Sequence, residues 1–176
     1  KTSQELLLKG TPIELISLEE RLEKTVYLKE LDIEVKLVGK ADRIEKRGND
    51  IYIIDYKTGA VEQNNLRIKE LSEIFDAEKK KEKVLQLLMY AYMFDKKKLD
   101  LGNVYGAVFS LRKFSQGAMV AQLDEGPRNK TNLVFDAMLE KEFEEILLLK
   151  MCELYDGKGR FEDINVNSLE QPENQT

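Results

Sequence analysis

Three ionisable residues stand out by type and spacing: Asp42, Asp55 and Lys57. Two carboxylates and an amine, if brought together, could hold a hard divalent cation and place positive charge beside it. Residues 35–44 and 51–58 are rich in Val, Ile and Tyr and flank Gly48-Asn49-Asp50, the pattern of a β-hairpin. With Gly48-Asn49 as a two-residue loop, Arg47 pairs with Asp50 and Ile44 with Ile53. Continuing the count sets Asp42 opposite Asp55 and Lys40 opposite Lys57, all on one face. A loop displaced by one residue sets Asp42 beside Lys57 instead. Either register gathers Asp42, Asp55 and Lys57 on adjacent strands.

Two carboxylates facing each other across a sheet, with Cβ atoms about 5 Å apart, repel. At an effective dielectric near 20 that repulsion is roughly 3–4 kcal/mol. Lys57 offsets part of it, and Mg²⁺ or Mn²⁺ would offset all of it, taking carboxylate oxygens, a main-chain carbonyl and waters. The plainer alternative is an exposed hairpin face whose Asp–Lys pairs contribute about 0–1 kcal/mol.

The surrounding elements have to position these groups. Residues 1–8 read as the end of a helix stopped by Gly10 and Pro12. Residues 13–28 read as extended, and a four-residue connection to the next strand brings Glu19 near Asp42, as an extra ligand or as a surface partner of a neighbouring cation. The stretch 59–83 has little periodicity and reads as a functional or mobile loop. It ends in Lys79, Lys80, Lys81 and Lys83, either a solvated helix start or a set of phosphate contacts. Residues 84–94, VLQLLMYAYMF, are apolar almost all round and predict a helix buried on most faces. Its one strongly polar member is Gln86, with Tyr90 one turn on along the same face. A buried amide needs partners, found in the core, in the site strands or in a bound backbone. Residues 104–111 predict a strand with Arg112 and Lys113 at its end, and 114–122 a further edge strand. Thr131 or Asn132 is expected to cap a long helix over 133–155 whose inner stripe is Phe135, Leu139, Phe143, Ile146, Leu149 and Leu154. The tail 165–176 is polar enough to predict disorder.

The sum is an α/β (α+β) fold, a mixed central sheet of about four to five strands with helices on both faces. The expected division is an upstream helix end and linker over 1–12, one domain over 13–164 and the tail. At 176 residues and 42% hydrophobic content the chain can bury one real core. The formal net charge of -5 gives no overall basic footprint, so any nucleic-acid contact must come from local patches. Histidine is absent, which removes Ser-His, Cys-His and His-ligated metal chemistry. The lone Cys152 excludes an internal disulfide or cysteine metal cluster and suits a reducing compartment. No membrane span or secretory leader is evident, so the cytoplasm is expected. No P-loop motif occurs. The first residue is Lys1, which suggests a piece of a longer protein.

In order and spacing, Gly39-Lys40-Ala41-Asp42-Arg43-Ile44, then Ile54-Asp55-Tyr56-Lys57-Thr58-Gly59, then Gln86 with Tyr90, resemble the RecB-like branch of the PD-(D/E)XK nuclease superfamily. The likeness is to the C-terminal nuclease domains of AddB- and RecB-type helicase-nucleases of double-strand break repair. CRISPR adaptation nucleases and single-domain exonucleases belong to the same branch. The resemblance implies a restriction-endonuclease-like core and a metal-dependent deoxyribonuclease, an exonuclease by the branch's habit, acting near the nucleoid on DNA beside helicase domains. It implies Asp42, Asp55 and the Tyr56 carbonyl as ligands of Mg²⁺ or Mn²⁺, with Lys57 orienting the attacking water and stabilising charge on the phosphate. Gln86 and Tyr90 match a motif associated with DNA contact, and Arg43 is structural or phosphate-facing.

There are departures. Family members carry a further His or Glu on an upstream helix, for which Glu5 is the available substitute. Some relatives hold an iron–sulfur cluster, which Cys152 alone cannot. The alternative is a domain of the same fold that binds DNA or braces a partner without cutting.

Overall fold

In the computed structural model, residues 12–95 and 102–157 are described. The expected helix at 1–8, Glu5 and the tail 165–176 lie outside them. Strand β1 (Ile13–Leu28) turns through Lys29 to Asp32 into β2 (Ile33–Arg47), and β2 turns through Gly48-Asn49 into β3 (Asp50–Lys57). Gly48 takes φ 65°, the left-handed value that a tight two-residue loop needs and that costs glycine nothing. After β4 (Arg67–Ile68) come helix α1 (Glu82–Met93) and strand β5 (Val104–Ser110). Three short strands follow, β6 (Ala118–Val120), β7 (Gln122–Asp124) and β8 (Lys130–Asn132), and then helix α2 (Ala137–Tyr155).

The main sheet has the order β1-β2-β3-β5-β6, with β3 and β5 parallel and the other neighbours antiparallel. This is a mixed five-stranded sheet with helices, as expected. Helix α1 makes the crossover that a parallel β3–β5 pair requires. A small sheet, β4-β7-β8, stands beside it.

Both described helices cover the same face of the main sheet. An added Cβ at Gly106 of β5 would meet Leu87 of α1, and one at Gly39 of β2 would meet Met93 and Tyr90. On α2, Phe143 packs edge-to-face against Tyr92 of α1, ring centroids 5.6 Å apart. Lys24 of β1 lies 3.5 Å from the centre of the Tyr92 ring and reaches Glu140 of α2. The expectation of helices on both faces is thus met on one face among the described residues. Between that face and the helices lies the core, including Ile44, Ile51, Ile53, Leu87, Tyr92, Val104, Val108 and Phe143.

Three expected elements differ. The stretch 59–83 is packed rather than loose: Val61, Leu66, Ile68, Leu71 and Ile74 are all buried, strung through short 3-10 turns. Single apolar anchors at irregular spacing leave no period to read, yet each occupies a core position. The expected strand at 114–122 is a 3-10 segment (Leu111–Gln116) followed by the three residues of β6. The long helix begins at Ala137 rather than 133, and its cap is Asp136, whose carboxylate accepts from Met138 N and Leu139 N at 3.0 and 2.9 Å. Leu133 and Phe135 are extended and buried, Phe135 N donating to Val104 O, so backbone pairing with the sheet edge overrides the helical pattern. The buried stripe of α2 is Phe143, Leu147 and Met151, while Leu149 and Leu154 are exposed.

Candidate active site

The β2–β3 ladder runs from Arg47↔Asp50 through Ile44↔Ile53 to Arg43↔Ile54, the register expected from a Gly48-Asn49 loop. It stops one pair short of the two acids. Ala41 and Ile44 both face the core, so strict alternation of β2 fails across Asp42 and Arg43. Opposite, between the pairs Leu18↔Arg43 and Glu20↔Ala41, Glu19 sits at φ 56°, an uncommon value for a non-glycine residue and a local strain. The two irregularities face each other. They release Asp42 from the ladder, and its Oδ2 instead accepts the Tyr56 N–H at 2.7 Å.

Asp55 is 4% exposed. Its Oδ2 lies 2.9 Å from Lys57 Nζ, an ion pair between neighbouring residues on one face of β3. Burial pushes the Asp55 carboxyl above its ordinary range, Lys57 opposes that, the Asp42 charge raises it further, and Lys83 lowers it.

Lys57 is held from the other side. Its ammonium donates to Gln86 Oε1 at 2.8 Å, and Gln86 Nε2 donates to Tyr90 OH at 2.8 Å. The helix period sets Gln86 and Tyr90 on one face of α1, and Gly106 lets that helix come down on the sheet, an added Cβ there standing 2.7 Å from Leu87 Cβ. Asp55, Lys57, Gln86 and Tyr90 therefore form one continuous polar chain from strand to helix.

The Tyr56 carbonyl points toward β2. Ile51 N bonds Asn103 O beside β5, so odd-numbered residues of β3 turn their main-chain groups to β5 and even-numbered ones turn to β2. At Tyr56 the β2 ladder has already ended, and Asp42 takes the N–H. Asp42, Asp55 and this carbonyl are all oxygen donors, the chemistry a hard divalent cation requires, and the buried, anionic side of Asp55 fits such an ion. No cluster of three or more acidic, Cys or His side chains that could hold a metal occurs among the described residues.

Other expected residues lie elsewhere. Lys40 does not join Lys57; it pairs with Glu19, which is thereby taken up on the surface and does not join Asp42 and Asp55. The broken alternation at Asp42 moved Lys40 off the predicted face. Arg43 points away from α1, pairing with Glu45 and donating to Tyr56 OH at 3.4 Å. Of the lysine run, Lys83 acts on Asp55 electrostatically, and Lys81 donates to Asn64 O. Ser110 had no place in the sequence reading: buried beside Lys57 in the β3–β5 register, it donates to Gly59 O at 2.8 Å and fixes the chain as it leaves the site. A lone Ser at a strand end carries no signal that could have found it.

The family model described as the PD-(D/E)XK nuclease superfamily matches residues 4–164. No curated protein matches the chain.

Proposed function

The chain belongs to the PD-(D/E)XK nuclease superfamily, and from that premise we propose that the cluster of Asp42, Asp55 and Lys57 is a metal-dependent site for hydrolysing DNA phosphodiester bonds. Nucleases of this superfamily generally use divalent metal ions, and for this chain we assign Mg²⁺ or Mn²⁺. The observation that carries the reading is the buried Asp55 carboxylate, its Oδ2 2.9 Å from an ammonium that Gln86 holds in place.

Asp42, Asp55 and the Tyr56 carbonyl are the ligands in this reading. A divalent cation bound there supplies Lewis acidity at the phosphoryl oxygen and acidifies water. Lys57 keeps a fixed positive charge where negative charge develops on the phosphate, and it orients the attacking water. Gln86 spends its carbonyl on Lys57 and its amide on Tyr90, which leaves one orientation of the side chain that satisfies both partners. Tyr90 then presents its hydroxyl to the DNA backbone, and Gln86 serves the same contact through it. Arg43 is assigned to the strand on the outer side of β3.

The motif blocks around Asp42, Asp55 and Gln86 support the RecB-like branch and an exonuclease working beside helicase domains in repair or recombination at the nucleoid. A second reading, a DNA-binding or scaffold domain that does not cut, is favoured by Asp42 giving one oxygen to the Tyr56 amide, a structural use of that carboxylate.

The test is cleavage of end-labelled single- and double-stranded DNA with Mn²⁺, together with calorimetric titration of Mn²⁺ into the wild type and Asp55→Ala. Saturable Mn²⁺ binding lost in Asp55→Ala and cleavage lost in Lys57→Ala are expected. Mn²⁺-independent DNA binding with no cleavage would favour the second reading.

A further inference from the structure

The long hairpin outgrows its neighbour in the sheet. Strand β2 pairs with β1 along nearly its whole length, down to Leu28↔Ile33, but with β3 only from Arg43 to Arg47. Among the described residues, the part of β2 from Ile33 to Gly39 therefore has a strand on one side and none on the other. Main-chain N–H and C=O groups of alternate residues turn to that open side, where they lack ladder partners. We propose that this edge, over Ile33-Glu34-Val35-Lys36-Leu37, is where a second copy of the chain adds strand to strand, joining two five-stranded sheets into one.

The order of residues along the edge names the occupant. Paired antiparallel about a two-fold axis at Val35, the segment is its own complement. On the face toward α1, Val35 meets the partner's Val35, and Ile33 meets the partner's Leu37. On the other face Glu34 meets the partner's Lys36, and Lys36 meets the partner's Glu34. Opposite charges and β-branched residues directly across from each other are the pairs that stabilise antiparallel strands. Centring on Lys36 would set two lysines face to face, and centring on Glu34 two glutamates. Charge thus selects the register.

The local structure leaves these groups available. Ile33, Val35 and Leu37 are only half-buried against the rim of the core, on the face where Gly39 approaches Tyr90 and Met93 of α1, and an added strand would extend their cover. Glu34 is exposed and makes no ion pair among the described residues. Lys36 pairs with Glu23, but those side chains are 55% and 36% exposed, so exchanging one carboxylate for another costs little. Edge strands that avoid partners carry a proline, a bulge or an inward-pointing charge. This edge has none of these: the β1–β2 register is unbroken from Glu20↔Ala41 to Leu28↔Ile33, and Ile33, Val35 and Leu37 are all apolar. A lysine is the remaining device, and here Glu34 matches it. The paired segment ends at Leu37, short of Asp42. The two-fold axis stands perpendicular to the joined sheet, so both Asp42–Asp55 sites face the same side.

Such pairing does not depend on the nuclease reading, and cleavage plays no part in its test. Sedimentation equilibrium of the chain from roughly 1 µM to 1 mM is measured for the wild type, Glu34→Lys, Lys36→Glu and an equimolar mixture of the two variants. Both positions are exposed, so the far-UV spectra of the variants match that of the wild type. Expected are a concentration-dependent wild-type dimer, self-association roughly 10- to 100-fold weaker in each variant, and recovery of the dimer in the mixture, where every cross-strand charge pair is again opposite. A wild type that stays monomeric throughout, a dimer that both variants leave unchanged, or a mixture no tighter than either variant alone would each overturn the pairing.

Discussion

Gln86 Oε1 accepts from Lys57 Nζ at 2.8 Å, across the gap between helix α1 and strand β3. Residues 29 positions apart in sequence are thereby made one unit, and the amide is aimed by its second bond to Tyr90. Lys57 consequently has two fixed neighbours, an acid beside it on its own strand and an amide above it.

The first prediction concerns that bond. Gln86→Ala frees the Lys57 ammonium and leaves the fold intact, so kcat falls about 10- to 100-fold, the size of effect expected when a positioned charge becomes mobile. KM changes much less. Single-turnover and steady-state cleavage kinetics distinguish this from a loss of DNA binding, in which KM would carry the change.

Asp55 gives a prediction about stability. Its folded-state pKa lies above the ordinary value, chiefly through burial, so its contribution to stability is present below about pH 4 and is lost as pH rises through the folded pKa. At neutral pH without metal the carboxylate therefore weighs against the fold. Asp55→Asn is expected to raise the metal-free Tm by a few degrees, on the order of 1 kcal/mol, while abolishing cleavage. Adding Mn²⁺ raises the Tm of the wild type and leaves that of the variant unmoved, which thermal unfolding reads directly.

Gly106 is the place where α1 comes closest to the sheet. In Gly106→Ala the new methyl would stand 2.7 Å from Leu87 Cβ, and backbone or helix has to give. A loss of roughly 1–3 kcal/mol is expected, seen as a Tm lowered by several degrees. Cleavage falls more than Tm alone explains, because the shifted helix carries Gln86 away from Lys57. Activity measured well below Tm separates the two effects.

Tyr92 donates to Glu144 at 2.5 Å, tying α1 to α2. Burial first, and then this bond, raise its pKa above the ordinary 10.0. A raised acid contributes stability that is present below the unfolded-state pKa and lost as pH rises beyond it. The wild type is therefore expected to lose stability from about pH 10 upward. Tyr92→Phe lacks that component of the decline, at the expense of about 1 kcal/mol at neutral pH. Urea titrations at pH 8 and pH 10.5 test both statements.

Much of this was legible in the chain. The hairpin could be read because Gly48-Asn49 is a local turn signal and the strand period is two, and those rules set the register from Arg47↔Asp50 to Arg43↔Ile54. Helix α1 could be read because it is apolar almost all round, and Gln86 was conspicuous as the one amide inside it. The start of α2 was misread because Leu133 and Phe135 fit a helical stripe as well as an extended edge, and only the neighbouring backbone of β5 decides between them.

By itself the sequence determined which residues are available for chemistry, two acids and a lysine on neighbouring strands, and the local register that brings the strands together. Tertiary structure alone decided how those groups are used. The paired irregularity at Glu19 and Asp42 turned Asp42 to the Tyr56 amide and moved Lys40 away from Lys57, and the packing of α1 onto Gly106 brought Gln86 to Lys57. The physical reason is range: turn and period rules act over a few residues, whereas broken alternation, burial of a carboxylate and a helix-to-strand hydrogen bond depend on segments that meet only when the core closes.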